Sequence, residues 1–167
     1  MNCKIIKHEN LLLEEGLKIA YLKNQHWPYG IESQILWMHN NIRRGDVHLL
    51  VEDDSVLKAY CALVALNTVI DGVNNDCLGV GGVCVDVRFQ HSGLGKSLMQ
   101  EVKRYVNSLN KVGILLCKDA LVNFYEKCGW NMLNYNMANI ANNNYKHCIM
   151  LLEETRTCLD VLIDRNF

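Results

Sequence analysis

The sequence of 167 residues contains a single proline, Pro28, and lacks the features that mark several classes of protein. Its net charge is -1 at pH 7, so no excess of positive charge favours binding to nucleic acid or to an anionic membrane. No apolar run approaches the roughly 18 residues of a transmembrane span, and there is no repeat or low-complexity tract. We therefore expect no nucleic-acid partner, no membrane partner and a cytoplasmic location.

The chain has eight cysteines, but no two of them form a C-x-x-C pair. Most lie within apolar strand or helix patterns, where a reduced thiol behaves as a small apolar side chain. We expect reduced core thiols rather than a disulfide framework, and no metal. Apolar residues make up 50% of the sequence, and a chain of this length can bury one core. A single domain over residues 1–167 is predicted.

Hydrophobic periodicity predicts a mixed α/β fold, with a central mixed sheet flanked by helices and the order βααβββαβαββ. The predicted strands span residues 2–7, 46–53, 56–70, 76–87, 112–117, 130–137 and 145–152. The predicted helices span residues 9–23, 31–43, 93–109 and 119–128. The last 15 residues are ambiguous between helix and strand.

A glycine-containing loop joins the predicted strand 76–87 to the helix that follows it. Val83, Val85 and Val87 repeat with the period of a strand, and from Leu94 onward the apolar residues repeat with the period of a helix. The first N–H groups of a helix are unpaired at its positive end, and glycine lets a ligand approach the main chain. This junction predicts an anion site suited to a pyrophosphate.

Two families use such a site, and motif spacing distinguishes them. The tripeptide Gly95-Lys96-Ser97 fits the end of a P-loop, but the first glycine of that motif would stand at position 90, which is Gln90. Gln90, Gly93 and Gly95 instead meet the full pattern Q/R-x-x-G-x-G/A. In this pattern the chain resembles the GNAT superfamily of N-acetyltransferases.

A second signature follows downstream, after one predicted helix and one predicted strand. Residues 123–130 resemble the F-Y-E-K-x-G-F/W segment that closes the cofactor domain of the same family. The resemblance covers about residues 46–152 and implies that acetyl-CoA is the co-substrate, with its pyrophosphate in the glycine loop. The implied cofactor-binding residues are Val83, Cys84, Val85, Gln90, His91, Ser92, Gly93, Leu94 and Gly95.

The predicted strand 76–87 changes its apolar phase at Gly81-Gly82. The apolar residues on the two sides of this pair are Leu78 and Val80, then Val83, Val85 and Val87. A slip of one residue at two glycines predicts a β-bulge, although a strand buried on both faces would give the same pattern. In GNAT enzymes, a bulge at this place splays two parallel strands, and the pantetheine arm lies between them.

The resemblance implies an acetyl-CoA-dependent N-acetyltransferase in which a primary amine attacks the thioester directly in a ternary complex. Such a transfer needs a neutral amine, donors for the oxyanion and an acid for the departing thiolate. The main-chain N–H groups around Val83–Val85 are the implied donors, and Tyr125, aligned with the tyrosine of the family, is the implied acid. Gly79 stands where some members carry a glutamate, so the sequence identifies no general base.

Acceptor identity is expected to depend on the first 45 residues and the final strands. The candidate substrate-binding residues are Trp27, Tyr29, Gly81 and Gly82. Residues 47–63 and 113–130 also loosely resemble aminoglycoside 2′-N-acetyltransferases, and the acidic tail ending in Phe167 suits a polycationic sugar. A small-molecule acceptor is therefore favoured. A protein or peptide amine, a non-catalytic acyl-CoA sensor and a P-loop-like phosphate binder are the alternatives, and homodimerisation is left open.

Overall fold

The structure is a computed structural model that describes residues 2–167. Within these residues the chain forms ten β-strands, four α-helices and three short 3-10 helices. The strands are β1 (Asn2–Lys7), β2 (Val47–Asp53), β3 (Val56–Ile70), β4 (Val73–Val85), β5 (Val112–Cys117), β6 (Trp130–Met132), β7 (Asn134–Ile140), β8 (Asn143–Asn144), β9 (Cys148–Leu152) and β10 (Thr157–Ile163). The α-helices are α1 (Leu13–Asn24), α2 (Ile31–Asn41), α3 (Leu94–Ser108) and α4 (Val122–Glu126). The predicted mixed α/β class is confirmed, and most of the paired strands are antiparallel.

Helix α1 begins four residues later than the sequence pattern predicts. Residues 8–10 form a 3-10 turn, and the carboxylate of Glu15 accepts a hydrogen bond from the N–H of Leu12 at 2.9 Å. This contact caps the first turn of α1, because it gives a partner to an N–H group near the helix start. The start is therefore set by a side-chain cap that hydrophobic periodicity does not reveal.

The predicted strand 130–137 is two strands, β6 and β7, with Leu133 between them. Leu133 is buried, and its N–H donates to the carbonyl of Ile149 at 2.9 Å. Strand β6 pairs with β9, whereas β7 pairs with β10 and β8. The strand is broken because its two halves have different partners.

The described chain forms two compact units. The first runs through Val64 and adds Gly81–Val102 and Phe167, and the second comprises Ala65–Val80 and Lys103–Asn166. Strands β3 and β4 and helix α3 each contribute residues to both units. A single domain over residues 1–167 stays a prediction.

In the first unit, β1, β2 and the first half of β3 form an antiparallel arrangement. Their core is shared with α1 and α2, whose apolar residues recur at helical spacing. The buried members of this core are Ile6, Ile19, Ala20, Leu22, Met38, Ile42, Leu50, Leu57, Tyr60, Ala62 and Cys84. This unit carries the end of β4 and the start of α3.

In the second unit the strands lie in the order β6-β9-β5-β4-β3-β10-β7-β8. Strands β4 and β5 pair in parallel over Cys77–Val80 and Val112–Leu115. Strand β10, from the ambiguous tail, pairs with β3 antiparallel and with β7 in parallel. A Cβ on Gly113 would lie 3.1 Å from the ring of buried Trp130, so the glycine makes room for that side chain.

No helix among residues 2–167 is long and apolar enough to cross a membrane. Five of the cysteines are buried, as expected for core thiols. Burial raises the pKa of the Cys84 thiol to about 12, so this thiol stays protonated at neutral pH.

Candidate active site

The predicted anion loop lies between β4 and α3 in the first unit. Strand β4 ends at Val85, two residues before the predicted end, and residues 87–89 form a 3-10 turn. His91 and Gly93 then take left-handed φ values of 60° and 87°. The N–H of Ser97 donates to the carbonyl of Gly93 at 3.0 Å, which closes the first turn of α3. The chain therefore curls tightly just before a helix of 15 residues, as an anion site at a helix start requires.

The space beside this loop is open. A Cβ built on Gly93 meets no heavy atom within 4 Å, and Gln90, His91 and Ser92 are exposed. The hydroxyl of Ser92 donates to the carbonyl of Phe89 at 2.6 Å, so this side chain braces the loop. An accessible main chain at the positive end of α3 fits a phosphate group.

Asp86, between β4 and the loop, is a residue that the sequence analysis missed. Its carboxylate is 3% exposed and accepts hydrogen bonds from the N–H of Arg88 at 2.9 Å and from the Arg88 guanidinium at 3.0 and 2.8 Å. The side-chain amide of Gln25 donates to the same carboxylate at 3.3 Å. The Arg88 guanidinium, followed by these other donors, holds the pKa of Asp86 well below its usual range. An acidic residue after an apolar strand, with arginine two positions later, is the sequence signal that could have found it.

The end of α1 holds the same part of the chain. Gln25 accepts a hydrogen bond from the N–H of Val87 at 3.0 Å, and the Nε2 of His26 donates to the carbonyl of Val85 at 2.8 Å. The N–H of Asp86 donates to the carbonyl of Lys58 on β3 at 2.8 Å. Contacts from two elements thus fix the entrance to the loop.

Gly81 and Gly82 are required for different reasons. A Cβ on Gly81 would lie 2.6 Å from the carbonyl carbon of Phe167, which leaves no room for a side chain. Gly82 has a left-handed φ of 61°, the conformation expected of a bulged residue. A Cβ there would lie 3.5 Å from the ring of Tyr60 and 3.9 Å from the Cε of Lys23.

Burial along β4 does not follow the predicted phase slip. Leu78 and Val80 are buried before the glycines, and the even-numbered Cys84 and Asp86 are buried after them, whereas Val87 is 54% exposed. The apolar pattern predicted the wrong buried positions because the carboxylate of Asp86, which has four hydrogen-bond donors, is buried where the pattern expects an exposed residue. The bulge stays a prediction, supported by the φ of Gly82.

A buried hydrogen-bonded chain lies beside Gly82. The Nδ1 of His48 is 2.9 Å from the hydroxyl of Tyr60, and its Nε2 is 2.9 Å from the Nδ1 of His8. Burial lowers the pKa of His48 to about 4, and burial raises the pKa of Tyr60. Both groups are therefore neutral at pH 7, and one tautomer of His48 links the Tyr60 hydroxyl to His8.

Tyr125 lies on α4 in the second unit. Residues 119–121 form a 3-10 turn and α4 ends at Glu126, so the predicted helix 119–128 is shorter and less regular than expected. The ring of Tyr125 is 6% exposed and meets the ring of Phe124 edge-on, with 5.0 Å between centroids. Gly129 ends this segment with a left-handed φ of 88°, ahead of the buried Trp130. Glycine and tryptophan of the signature thus have structural roles, and the role of Tyr125 as acid stays a prediction.

The candidate acceptor residues Trp27 and Tyr29 lie in the loop between α1 and α2. Trp27 packs partly buried against the core of the first unit, while Tyr29 is 73% exposed. The N–H of Tyr29 donates to the carbonyl of Trp27 at 2.8 Å, which tightens this loop. Within residues 2–167, no group of three or more His, Cys, Asp or Glu side chains is placed to hold a metal ion.

The family model described as "Acetyltransferase (GNAT) family" matches residues 14–130, which include the loop, the Gly81-Gly82 pair and Tyr125. Since the match extends over more than half of the chain, the protein belongs to the GNAT acetyltransferase family. The family resemblance inferred from the two signatures is confirmed. Comparison with curated protein sequences gives no significant match.

Solved structures share the fold. An acyl-CoA N-acyltransferase from Pseudomonas aeruginosa matches with a TM-score of 0.68 at 16% identity, over 91% of this chain and 99% of that one. An aminoglycoside 6′-N-acetyltransferase complexed with coenzyme A matches with a TM-score of 0.65 at 14% identity, over 90% of this chain and 96% of that one. Glucosamine-6-phosphate N-acetyltransferase from Arabidopsis thaliana gives 0.56 at 21% identity, over 77% and 91%. At these identities, the likeness shows the fold alone.

Proposed function

We propose that this protein transfers the acetyl group of acetyl-CoA to a primary amine of a small molecule. The observation that carries the proposal is the loop from Gln90 to Gly95, which curls open at the start of α3 inside the region matched by the acetyltransferase family. In support, a structural neighbour of the same fold is a coenzyme A complex. The residues proposed to hold acetyl-CoA are Val83, Cys84, Val85, Gln90, His91, Ser92, Gly93, Leu94 and Gly95.

The loop is proposed to bind the pyrophosphate through its main-chain N–H groups. Left-handed φ values at His91 and Gly93 turn successive peptide units toward one side, as in other anion-binding loops. The Asp86 hydrogen bonds keep the loop entrance in one conformation before the ligand arrives, which reduces the entropy lost on binding. Since Cys84 is buried, its contribution is a main-chain contact.

The reaction is proposed as direct attack in a ternary complex. The neutral amine adds to the thioester carbonyl, and the resulting oxyanion is held by main-chain N–H groups around Val83–Val85. The C–S bond then breaks, the nitrogen loses one proton to water, and Tyr125 gives its proton to the departing thiolate. The acid role of Tyr125 is supported by its place in the Y-E-K-x-G-W segment within the matched family region.

Two other functions are kept as outcomes of the test. A protein or peptide amine could replace the small acceptor, because Trp27 and Tyr29 lie in a loop with an exposed ring. A sensor that binds acyl-CoA without turnover would have the same loop. In every case acetyl-CoA is the proposed ligand of the loop, and it is a co-substrate wherever turnover occurs.

Ligand-induced stabilisation first tests whether the protein binds acetyl-CoA rather than a nucleoside triphosphate. At 100 times its Kd, acetyl-CoA should stabilise the fold by ~2.7 kcal/mol, which for a chain of this size raises Tm by about 5–10 °C. Coenzyme A should act similarly, whereas ATP with magnesium should not. A rise with ATP and none with acetyl-CoA would contradict the proposal.

Turnover is then measured with a thiol reagent that detects released coenzyme A in the presence of a panel of small amines and peptides. Release that depends on an amine, together with a product heavier by one acetyl group in mass spectrometry, identifies an enzyme. Tight acetyl-CoA binding with no release across the panel identifies a sensor.

A further inference from the structure

Lys23, near the end of α1, is a buried cation that the proposed mechanism does not use. The residue is 5% exposed, and its Cε lies 3.9 Å from the position of a Cβ on Gly82. Its Nζ lies 4.1 Å from the centroid of the Trp37 ring. Among residues 2–167, Lys23 Nζ has no hydrogen-bond acceptor and no carboxylate partner. Nζ is not one of the fully buried side-chain nitrogens that lack a partner, so the ammonium reaches solvent and its three donor positions are open to water or to a ligand.

The groups around Lys23 do not replace a missing anion. His48 on β2 is neutral at pH 7, and Tyr60 on β3 and Cys84 on β4 keep their protons because burial raises their pKa values. Burial also lowers the pKa of Lys23, and the protonated Cys84 thiol adds no charge that would oppose this. The Trp37 ring attracts a cation, but a cation–π contact recovers only part of the cost of removing an ammonium from water.

The Lys23 side chain is largely removed from water while its ammonium stays open at one side, which favours a ligand that brings a counter-charge to that side. Lys23 lies beside Gly82, and Gly81 and Gly82 are proposed to line the acceptor site. The acceptor is therefore the ligand placed to supply this counter-charge. The pyrophosphate of acetyl-CoA is proposed to bind the loop Gln90–Gly95 and so does not serve this purpose. The hydroxyl of Tyr60 is already hydrogen-bonded to His48, whereas Lys23 beside Gly82 has a cation–π contact and no ion pair.

We infer that Lys23 binds an anionic group of the acceptor, so that the acceptor is a small amine that also carries a carboxylate or a phosphate. This inference rests on the proposed acetyl transfer and narrows its substrate class. It disfavours a polycationic amino sugar, which the Lys23 ammonium would repel.

Lys23→Met tests the inference with little risk to folding. Methionine has a similar length and no charge, and replacing a buried charged group by an apolar one of similar volume is often neutral or stabilising. We expect an unchanged or higher Tm and unchanged acetyl-CoA affinity. Lys18→Met is the matched control, since Lys18 on the same helix is ion-paired with Glu14 at 3.0 Å and Glu52 at 3.4 Å.

Acceptors are offered in pairs that differ only in the anion. One arm compares amino acids with their amides, and the other compares a hexosamine phosphate with the hexosamine, so the arms distinguish carboxylate from phosphate. In the wild type and in Lys18→Met, kcat/KM should be about ten- to a hundredfold higher for the anionic member of one pair. Lys23→Met should remove this preference mainly through KM, and Lys23→Arg should keep part of it.

A second measurement does not need turnover. NMR of 13Cε-labelled lysine follows the Lys23 signal as pH is varied with and without sodium acetate or inorganic phosphate. A bound anion favours the ammonium, so the pKa of Lys23 should rise with one of these ions in the wild type, and the titrating signal should be missing in Lys23→Met. If no amine is acetylated, the proposed function fails while this titration still decides the role of Lys23.

Several results would overturn the inference. One is equal or greater kcat/KM for the neutral members of both pairs in the wild type. Another is an equal fall of kcat for neutral and anionic amines in Lys23→Met that Lys23→Arg does not restore, which would identify Lys23 as a base. A third is a Lys23 pKa that neither ion changes.

Discussion

Replacing Asp86 by asparagine tests how firmly the entrance to the loop Gln90–Gly95 is held. The Asp86 carboxylate is buried and accepts four hydrogen bonds, three from Arg88 and one from Gln25. Asparagine keeps the size of the side chain but turns one acceptor oxygen into a donor NH₂ group. That group would face the donors of Arg88 or Gln25, so at least one buried contact becomes unfavourable.

The size of the effect follows from where the partners lie. Removing one partner of a fully buried ion pair costs about 3–5 kcal/mol, but the Arg88 side chain is largely in water and can be solvated when released. A loss nearer to about 2 kcal/mol, typical of hydrogen bonds to a charged group, is expected. For a chain of this length, that corresponds to a fall in Tm of about 4–8 °C. The looser loop should also weaken coenzyme A binding by about tenfold, because part of the binding energy must reorder it.

Thermal unfolding and isothermal titration with coenzyme A measure the two effects. Asp76→Asn is the matched control, because the Asp76 carboxylate pairs with Lys111 at 2.9 Å on the surface, and such pairs contribute little. An Asp86→Asn protein with the Tm and the coenzyme A affinity of this control would refute the reasoning. The pKa of Asp86 is lowered, so its stabilisation is complete above the ordinary aspartate pKa of about 3.9 and is lost only as pH falls toward the lowered value. The free energy of unfolding of Asp86→Asn should therefore lack this loss at low pH.

Three further outcomes are expected. Gly93→Val and the control Gly72→Val place a side chain at φ values of 87° and 78°, so each should lower the free energy of unfolding by at least roughly 1 kcal/mol. Only Gly93→Val should weaken coenzyme A binding in a calorimetric titration. Equal binding by both variants would exclude the loop as the pyrophosphate site. Tyr125→Phe should keep coenzyme A affinity and slow the chemical step by about 10²–10⁴-fold in single-turnover assays. The control Tyr105→Phe should leave that rate unchanged. A chemical step of wild-type rate in Tyr125→Phe would mean that Tyr125 is not the acid. Folding lowers the pKa of His48 from 6.5 to about 4, so the free energy of unfolding of the wild type should drop by about 3 kcal/mol between pH 7 and pH 4. In urea unfolding, His48→Gln should flatten this dependence on pH. A variant with the pH profile of the wild type would show that His48 is not the group responsible.

Local sequence patterns located the elements that carry the loop. Strands β3 and β5 have the predicted bounds, because each is a long apolar run between clear turn signals. The start of α3 lies one residue from its predicted position, and the left-handed residues His91 and Gly93 fall within the six-residue motif. Spacing sufficed for the family because a motif and its strand–loop–helix context are contiguous in the chain.

The Asp86 network was not predictable in this way. Gln25 lies 61 residues before its partner, and no periodicity relates a residue at the end of α1 to one at the end of β4. The same holds for the tail, which was ambiguous alone and is a strand because β3 and β7 supply its hydrogen-bond partners. Propensity is a weak guide where pairing with distant residues decides the conformation.

The sequence by itself determined the family, the order of the main elements and the position of the strand–loop–helix junction at residues 90–95, since these depend on spacing along the chain. Only the tertiary structure decided that Lys23 is buried against Trp37 beside Gly82, that His48 is neutral, and that Asp86 holds the loop entrance. Lysine, histidine and aspartate are usually at least partly exposed, and hydrophobic periodicity does not show which of them the fold buries. Burial and charge at a site arise from residues brought together by the fold, so they are properties of the packed molecule.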